Sequence, residues 1–539
     1  MDNSAATSAS FRRRLKSRKP ACCRCVKSGL TCPGYNRPVK WSTKYEIDYG
    51  PLSYADSSSR DVPGMGDPQV GSEPPCHISN ALMLYTPHEE SSKLLSHYFS
   101  SACEVLSCFD SVNNPYRSDL SDMIQNSPVI FNCVLSASAA HLCQQDKEAS
   151  STPLTFQTEA ISCISRDLVT IDFALSQNNR RAGFIHPSTV PTIKDELILG
   201  IILVGMTSSW HDPSSLGLCH FYGARQVFKA WMAKVDTNNM QSPSYRIQRL
   251  VVSSMVYWEV MASCLIEQEI EAISYLDIFA TPPRVSYPCP WTGVGTGIHI
   301  HLAKCIALVR KSRSVKLHKA WGEDISLPSL YFDMLNEAFA LARDVDQSPI
   351  PMATEIQDTG DPKTPAIHLC KIAECHRLVA RLELDRAFPE LTYNYDTSCQ
   401  LSQDDYDQNE THSQHVLKLA IKVLGIMETV PEESRTIAIQ TIIWLTAGSA
   451  LGYHSKLDAS GRILVTNRRK FVLDRLYVSF RYLKLQTIKR VATILQEVWS
   501  RMDSVGVMGQ DAQTWYKSPF MRVHWIDVMI EAHLETILG

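Results

Sequence analysis

Cys22, Cys25 and Cys32 are spaced Cys-x2-Cys-x6-Cys within Lys19-Pro-Ala-Cys-Cys-Arg-Cys-Val-Lys-Ser-Gly-Leu-Thr-Cys-Pro-Gly-Tyr35. Thiolates this close together can grip a soft cation, zinc above all, and a thiolate-bound metal holds a segment too short to build its own core. The same stretch is the most basic of the chain: of 53 Lys and Arg, eleven lie between residues 3 and 45, which hold none of the 56 Asp and Glu. The overall net charge of -3 conceals this asymmetry. A positive arm of this kind is drawn to polyphosphate, each neutralised phosphate releasing counterions, whereas the acidic remainder is not. Arg12, Arg13, Arg14, Lys16, Arg18 and Lys19 are therefore candidate contacts to double-stranded DNA, and the same run also reads as a nuclear-import signal.

What must position such an arm is a much larger body. At 539 residues, with 44% hydrophobic content and a mean hydropathy of -0.13, most of the chain is expected to fold as a soluble protein with a real core. The 17 cysteines follow no regular spacing and no charged-then-apolar leader opens the chain, so reduced thiols and an intracellular home are expected. The longest apolar run, Leu197-Ile-Leu-Gly-Ile-Ile-Leu-Val-Gly-Met206, is shorter than the roughly 20 residues that cross a bilayer and reads as a buried helix, with no membrane partner.

From Glu46 to about Pro87 the composition turns to Ser, Pro, Gly and Asp without an apolar period, the pattern of a flexible linker, and from Glu89 the pattern changes. Beyond it, Leu95, Tyr98, Ala102, Val105, Leu106 and Phe109 recur at three- and four-residue steps, which places them on one helix face. Similar periods predict helices over 129–142, 155–175, 250–272, 298–313, 367–387, 412–428, 435–451, 468–501 and 523–538, while strand-like alternation is scarce. The expected fold class is all-α: a small basic arm (1–45), a linker (46–93) and a large helical domain (94–539).

Other constellations point to ordinary structure. Gly293-Val-Gly-Thr-Gly297 follows a Pro-rich segment where a nucleotide fold needs a strand. His299 and His301, two apart on a helix, face away from each other and cannot share a metal, and His368 with Cys375 reads as a partly exposed histidine beside a core cysteine. No Gly-x-Ser-x-Gly elbow is present, and Gly448-Ser449 lies inside an apolar helical pattern, so no enzymatic activity is expected. Asp404-Asp-Tyr-Asp407 is either a solvated acidic loop or a contact to the transcription machinery.

Cys22, Cys25 and Cys32, followed by Pro33-Gly34-Tyr35, resemble the second half of the cluster in fungal binuclear zinc-cluster (Zn2Cys6) transcription factors. Further stretches resemble the helical regulatory domain of the acriflavine sensitivity control type within that group. These are Cys108-Phe-Asp-Ser-Val-Asn-Asn-Pro-Tyr-Arg117, Pro290-Trp-Thr-Gly293, Leu382-Glu-Leu-Asp-Arg-Ala-Phe-Pro-Glu-Leu391, Met427-Glu-Thr-Val-Pro-Glu-Glu-Ser434 and Trp525-Ile-Asp-Val-Met-Ile-Glu531. The resemblance implies a nuclear regulator of RNA polymerase II genes, often those of a secondary-metabolite cluster, that binds DNA as a homodimer or heterodimer. It places Lys16 where the family's base-reading lysine donates to guanine, with the neighbouring basic residues on phosphates.

The departures are chemical. Aligning Phe11-Arg12-Arg13-Arg14-Leu15-Lys16 with the family's first basic run puts Thr7, Ser10 and Ser17 at the three missing cysteine positions. Two zinc ions that normally share six thiolates cannot be held by three, and neutral hydroxyls replace soft anionic sulfur poorly. Three states of the arm remain open: one zinc with Cys23 as a fourth thiolate, a metal-free basic arm, and a longer natural chain that carries the first half as well. The competing reading is a co-regulator or dimer partner whose degenerate cluster no longer reads bases.

Overall fold

The computed structural model describes residues 88–144, 152–180, 193–235, 244–281, 286–320, 327–393, 405–454, 457–507 and 523–538. The chain divides into two units, Met1–Ser79 and Asn80–Gly539, and the described residues all belong to the second. The zinc arm and most of the expected linker, including Cys22, Cys25, Cys32 and the basic residues from Arg12 to Lys19, therefore lie outside the described residues.

The second unit is all-α, as expected. Its principal helices are α1 (His88–His97, prolonged by a π turn at Tyr98–Ala102), α2 (Ser118–Asn126), α3 (Pro128–Cys143), α4 (Thr152–Arg180), α5 (Asp195–Met206), α6 (Leu218–Met232), α7 (Tyr245–Leu265), α8 (Thr296–Ala320), α9 (Leu327–Gln347), α10 (Ala366–Ala387), α11 (Asp405–Glu428), α12 (Thr441–Ser449), α13 (Ala459–Leu483), α14 (Gln486–Val507) and α15 (Trp525–Glu531). Among the described residues no strand forms; two isolated bridges, Ser286 with Ile356 and Cys289 with Gly293, are the nearest approach. The described cysteines form no disulfide.

The arrangement follows from which helices are apolar all round. Leu197 to Met206 of α5, Leu250 to Leu265 of α7 and all of α12 are buried, which only an interior helix can satisfy. Amphipathic helices surround them. A line of packed neighbours runs α4–α3–α5–α7–α8–α10–α11; α6 covers α5, α9 covers α8, and α12 bridges α10, α11 and α14. One contiguous apolar core extends from Tyr98 to Leu538. Local signals set several starts. Ser127 caps α3 by accepting from Ile130 N (3.3 Å) with Pro128 in the first turn, and Asp458 caps α13 by accepting from Gly461 N (2.7 Å).

Four expectations need correction. The stretch 435–451 is not one helix: a 3-10 helix at Arg435–Ile439 precedes α12, which ends at Ser449. The stretch 468–501 is not one helix: Lys484 adopts φ 57°, its N–H donates to Phe480 O (2.8 Å), and the left-handed residue closes α13 before α14 begins. The stretch 250–272 ends as an α-helix at Leu265, with 3-10 turns beyond it. The helix expected over 523–538 stops at Glu531, after which His533 at φ 54° turns the chain. Helices α2, α6 and α9 had no counterpart in the sequence reading.

At the meeting of α5, α6 and α7 the packing is so close that only glycine fits at two positions. A Cβ on Gly205 would lie 2.1 Å from Trp258 Cη2, and one on Gly217, itself at φ 58°, would lie 2.3 Å from Gly205 O. Gly205→Ala is expected to lower the unfolding free energy by about 1–3 kcal/mol, because the rigid, buried Trp258 indole must give way. A urea midpoint unchanged from wild type would contradict this packing.

Candidate functional site

Of the chemistry-bearing residues, those in the described domain gather in three buried clusters and one cleft. The first cluster joins α10 to the segment around α15. Glu383, fully buried, accepts from His524 Nε2 (3.0 Å) and Trp525 Nε1 (2.8 Å). His524 Nδ1 accepts from Ile526 N (3.2 Å) at the start of α15, so the proton resides on Nε2 and the ring links a helix end to a carboxylate. Burial works against the Glu383 charge, yet His524, the neighbouring Arg386 and the Trp525 N–H hold the carboxyl below its ordinary range. Arg386, one turn away, donates to Ser449 Oγ (2.7 Å) and O (3.2 Å) and to Val523 O (3.0 Å), tying α10, the end of α12 and the approach to α15 together. Arg313 of α8 completes the cluster through Asp527 (Nε to Oδ2, 2.9 Å).

The second cluster fastens α6 to α7. Arg225 meets Glu259 in a two-pronged contact (Nε to Oε1, 2.8 Å; Nη2 to Oε2, 2.7 Å), while Tyr275 Oη donates to the same carboxylate (2.6 Å) and Gln268 Oε1 accepts from Arg225 Nη2 (2.6 Å). Every charge here is matched inside the core, as buried ions require.

The third cluster pairs His299 of α8 with His376 of α10, ring centroids 4.3 Å apart. His299 Nδ1 donates to Gly295 O (2.8 Å) and His376 Nε2 to Ile439 O (3.1 Å), so both rings are neutral and each keeps one unpaired nitrogen, His299 Nε2 and His376 Nδ1. His301 turns away to Ser348 Oγ (2.8 Å), as its spacing predicts. His368 is half-buried against Ser434 Oγ (3.1 Å) and Cys375 is buried, also as expected. The pairing of His299 with His376 had no signal in local spacing. Among the described residues no group of three or more His, Cys, Asp or Glu is placed to hold a metal.

Burial pushes His141, His299 and His524 down to about 4, from an ordinary value of 6.5. Depressed histidines leave the unfolded chain holding more protons between those values. Stability is therefore complete above pH 6.5 and lost as pH falls through 6.5 toward 4, by on the order of 3 kcal/mol at most for each ring. Urea midpoints recorded stepwise from pH 8 to 4.5 are expected to decline below pH 6.5; a flat profile would contradict neutral burial.

The cleft lies beside the N-terminal half of α7. Two lobes of 170 and 260 Å³ share Tyr245, Arg249, Tyr287 and Cys289. The Arg249 guanidinium stacks 4.5 Å from the Tyr287 ring centroid and 5.6 Å from that of Tyr245. Gly293-Val-Gly-Thr-Gly297 forms one wall: Gly293, at φ 56°, exchanges backbone hydrogen bonds with Cys289, and α8 starts at Thr296.

Two pairs of the segments that resemble the regulatory domain meet each other, and a fifth meets α13. Asp110 and Arg117 close their own loop in a two-pronged pair (2.8 and 2.7 Å), and Tyr116 within it accepts from Trp291 Nε1 (2.9 Å) of Pro290-Trp-Thr-Gly293. The stretch 382–391 supplies Glu383 and Arg386, whose partners include Trp525 of 525–531. The stretch 427–434 offers Met427 O and Val430 O to buried Arg475 (3.2 and 2.6 Å). Each segment is a fixed polar joint between helices.

The model of the fungal specific transcription factor domain matches residues 93–539. No curated protein and no solved structure matches the chain. Among the described residues no helix is long and apolar enough to cross a membrane. With more than four-fifths of its length matched to that domain, the chain belongs to the fungal specific transcription factor family and is a regulator of transcription.

Proposed function

We propose that this protein is a nuclear, sequence-specific DNA-binding regulator of RNA polymerase II genes, with a fungal secondary-metabolite biosynthetic cluster as its target. The observation that carries the reading is the succession along one chain of a basic Cys-x2-Cys-x6-Cys segment and a domain of the transcription-factor family over 93–539. In this reading residues 1–45 form the DNA-binding arm, 46–93 the linker and 94–539 the regulatory domain, of the acriflavine sensitivity control type. Cys22, Cys25 and Cys32 hold zinc; their three thiolates suit one ion, with Cys23 or a water as the fourth ligand, and not two. Arg12, Arg13, Arg14, Arg18 and Lys19 take phosphates, and Lys16 reaches guanine. Dimerisation would set half-site spacing, and the domain would pass its state to the transcription machinery.

Thr7, Ser10 and Ser17 at the positions of absent thiols favour a second reading, a co-regulator or dimer partner that does not read bases. Selection of the full-length protein on a randomised duplex pool separates the two. Enrichment of a motif, CGG-like in this family, supports the first; uniform, salt-sensitive retention or none supports the second.

A further inference from the structure

The cleft beside α7 combines apolar side chains with a cation that no carboxylate neutralises. Its smaller lobe is lined by Val252, Ile278, Phe279, Val294, Ile298 and Pro349, and Arg249 is the one charged residue in its wall. No carboxylate among the described residues pairs with Arg249. Its Nη2 donates to Tyr287 O (2.7 Å) and to Cys289 Sγ (3.3 Å), so Nε and Nη1 keep their hydrogens unclaimed by described residues. Arg117, Arg225, Arg313, Arg381 and Arg435 each meet a carboxylate at the edge of or inside the core, whereas Arg249, like Arg310 and Arg386, is held by uncharged acceptors, and of these three it is the one that lines the cleft. An unneutralised guanidinium placed 4.5 Å over the Tyr287 ring presents a planar two-donor fork to whatever enters the smaller lobe.

We propose that this cleft binds a small aromatic monocarboxylate: the carboxylate on Arg249, the ring against Tyr287 and the apolar wall formed by Val252, Val294 and Ile298. Charge complementarity sets the anion: Arg249 is the one charged group of the smaller lobe, and the second lobe adds Arg246 and Asp358, which leaves the cleft with two cations against one acid. Shape sets the ring, because the apolar wall and the Tyr287 ring, which meets Tyr245 edge-on at 80°, give a flat body an aliphatic and an aromatic surface to lie against. Size agrees: lobes of 170 and 260 Å³ that share four residues together reach the range of about 300–1,000 Å³ usual for small-molecule clefts. The first turn of α8, whose Thr296, Gly297 and Ile298 line the same lobe, adds the positive end of a long helix to the field around the anion. That such a ligand would act as an effector rests on the regulator reading above; that it binds does not.

The test uses purified full-length protein without DNA, and titrates 2-naphthoate, benzoate and the uncharged 2-naphthamide by calorimetry, with thermal unfolding in parallel. The expected result is saturable binding of both carboxylates, with the amide at least roughly tenfold weaker, as loss of a charge-assisted fork implies. Arg249→Gln should erase the preference for acid over amide, and Val294→Phe, which fills the lobe without touching charge, should weaken both alike. Absence of saturable carboxylate binding, or an acid preference that survives Arg249→Gln, overturns the proposal. If Arg249→Gln fails to fold, the acid-to-amide ratio on the wild-type protein and its response to Val294→Phe still decide. Because no DNA is present, failure of base-specific binding leaves this result intact, and the reverse also holds.

Discussion

Glu383→Ala is expected to lower the unfolding free energy of the helical domain by about 3–5 kcal/mol, the range for removing one partner of a buried charged group. The carboxylate is the common acceptor for two buried donors, His524 Nε2 and Trp525 Nε1, and it neutralises the nearby Arg386, which burial already pulls down to about 10. Without it, both N–H groups lose their acceptor and Arg386, still bonded to Ser449 and Val523, loses its counter-charge, so that one of the two polar links between α10 and the α15 segment is gone. Glu383→Gln should cost less, about 1–3 kcal/mol, because the amide oxygen can still accept from Trp525 while its NH2 faces the His524 N–H. Urea unfolding followed by tryptophan fluorescence measures both, and hydrogen exchange over 523–538 locates the damage. A loss below about 1 kcal/mol for the alanine variant would mean that the cluster is not carried as a unit.

Cys25→Ser is expected to abolish discrimination between the selected duplex and a scrambled one while leaving weak, salt-sensitive binding in place. Removing a thiolate from a three-thiolate set releases the metal, and with it the fold of the arm; the lysines and arginines remain, and so does their attraction to phosphate. Specific binding usually exceeds non-specific binding by about a thousandfold or more, so the preference should collapse by that order. Lys16→Ala should act more narrowly, with a cost of about 1–3 kcal/mol confined to one base position. Competition titrations at two salt concentrations distinguish these outcomes. A Cys25→Ser protein that keeps its sequence preference would remove zinc from the reading.

How far the sequence foretold the domain depends on the range of the signal. Helices α3 and α10 were legible to within a residue or two, since Pro128 follows a capping serine and Pro365 precedes α10. Helix α6 was missed where its first turn follows Gly217, a residue that reads as a loop, and α9 although Met334, Ala338, Leu341, Ala342 and Val345 carry a clean helical period. The break at Lys484 was illegible because a lysine took the left-handed position that glycine or asparagine usually marks. The polar clusters were beyond reach for a different reason. Glu383 and His524 are 141 residues apart, and His299 and His376 lie on separate helices, so no spacing rule joins them. Individual quoted stretches such as 382–391 carried the resemblance; that their charged residues meet is information held only in three dimensions.

Tyr257, in the middle of α7, donates its hydroxyl hydrogen to the carbonyl of Leu538 (3.2 Å), 281 residues away, and Leu538 itself is fully buried. During synthesis α7 leaves the ribosome long before its partner, so the apolar pocket around Tyr257 stays open until residue 538 has cleared the exit tunnel. The domain therefore closes around Tyr257 only once that distant segment has emerged, however fast its helices form.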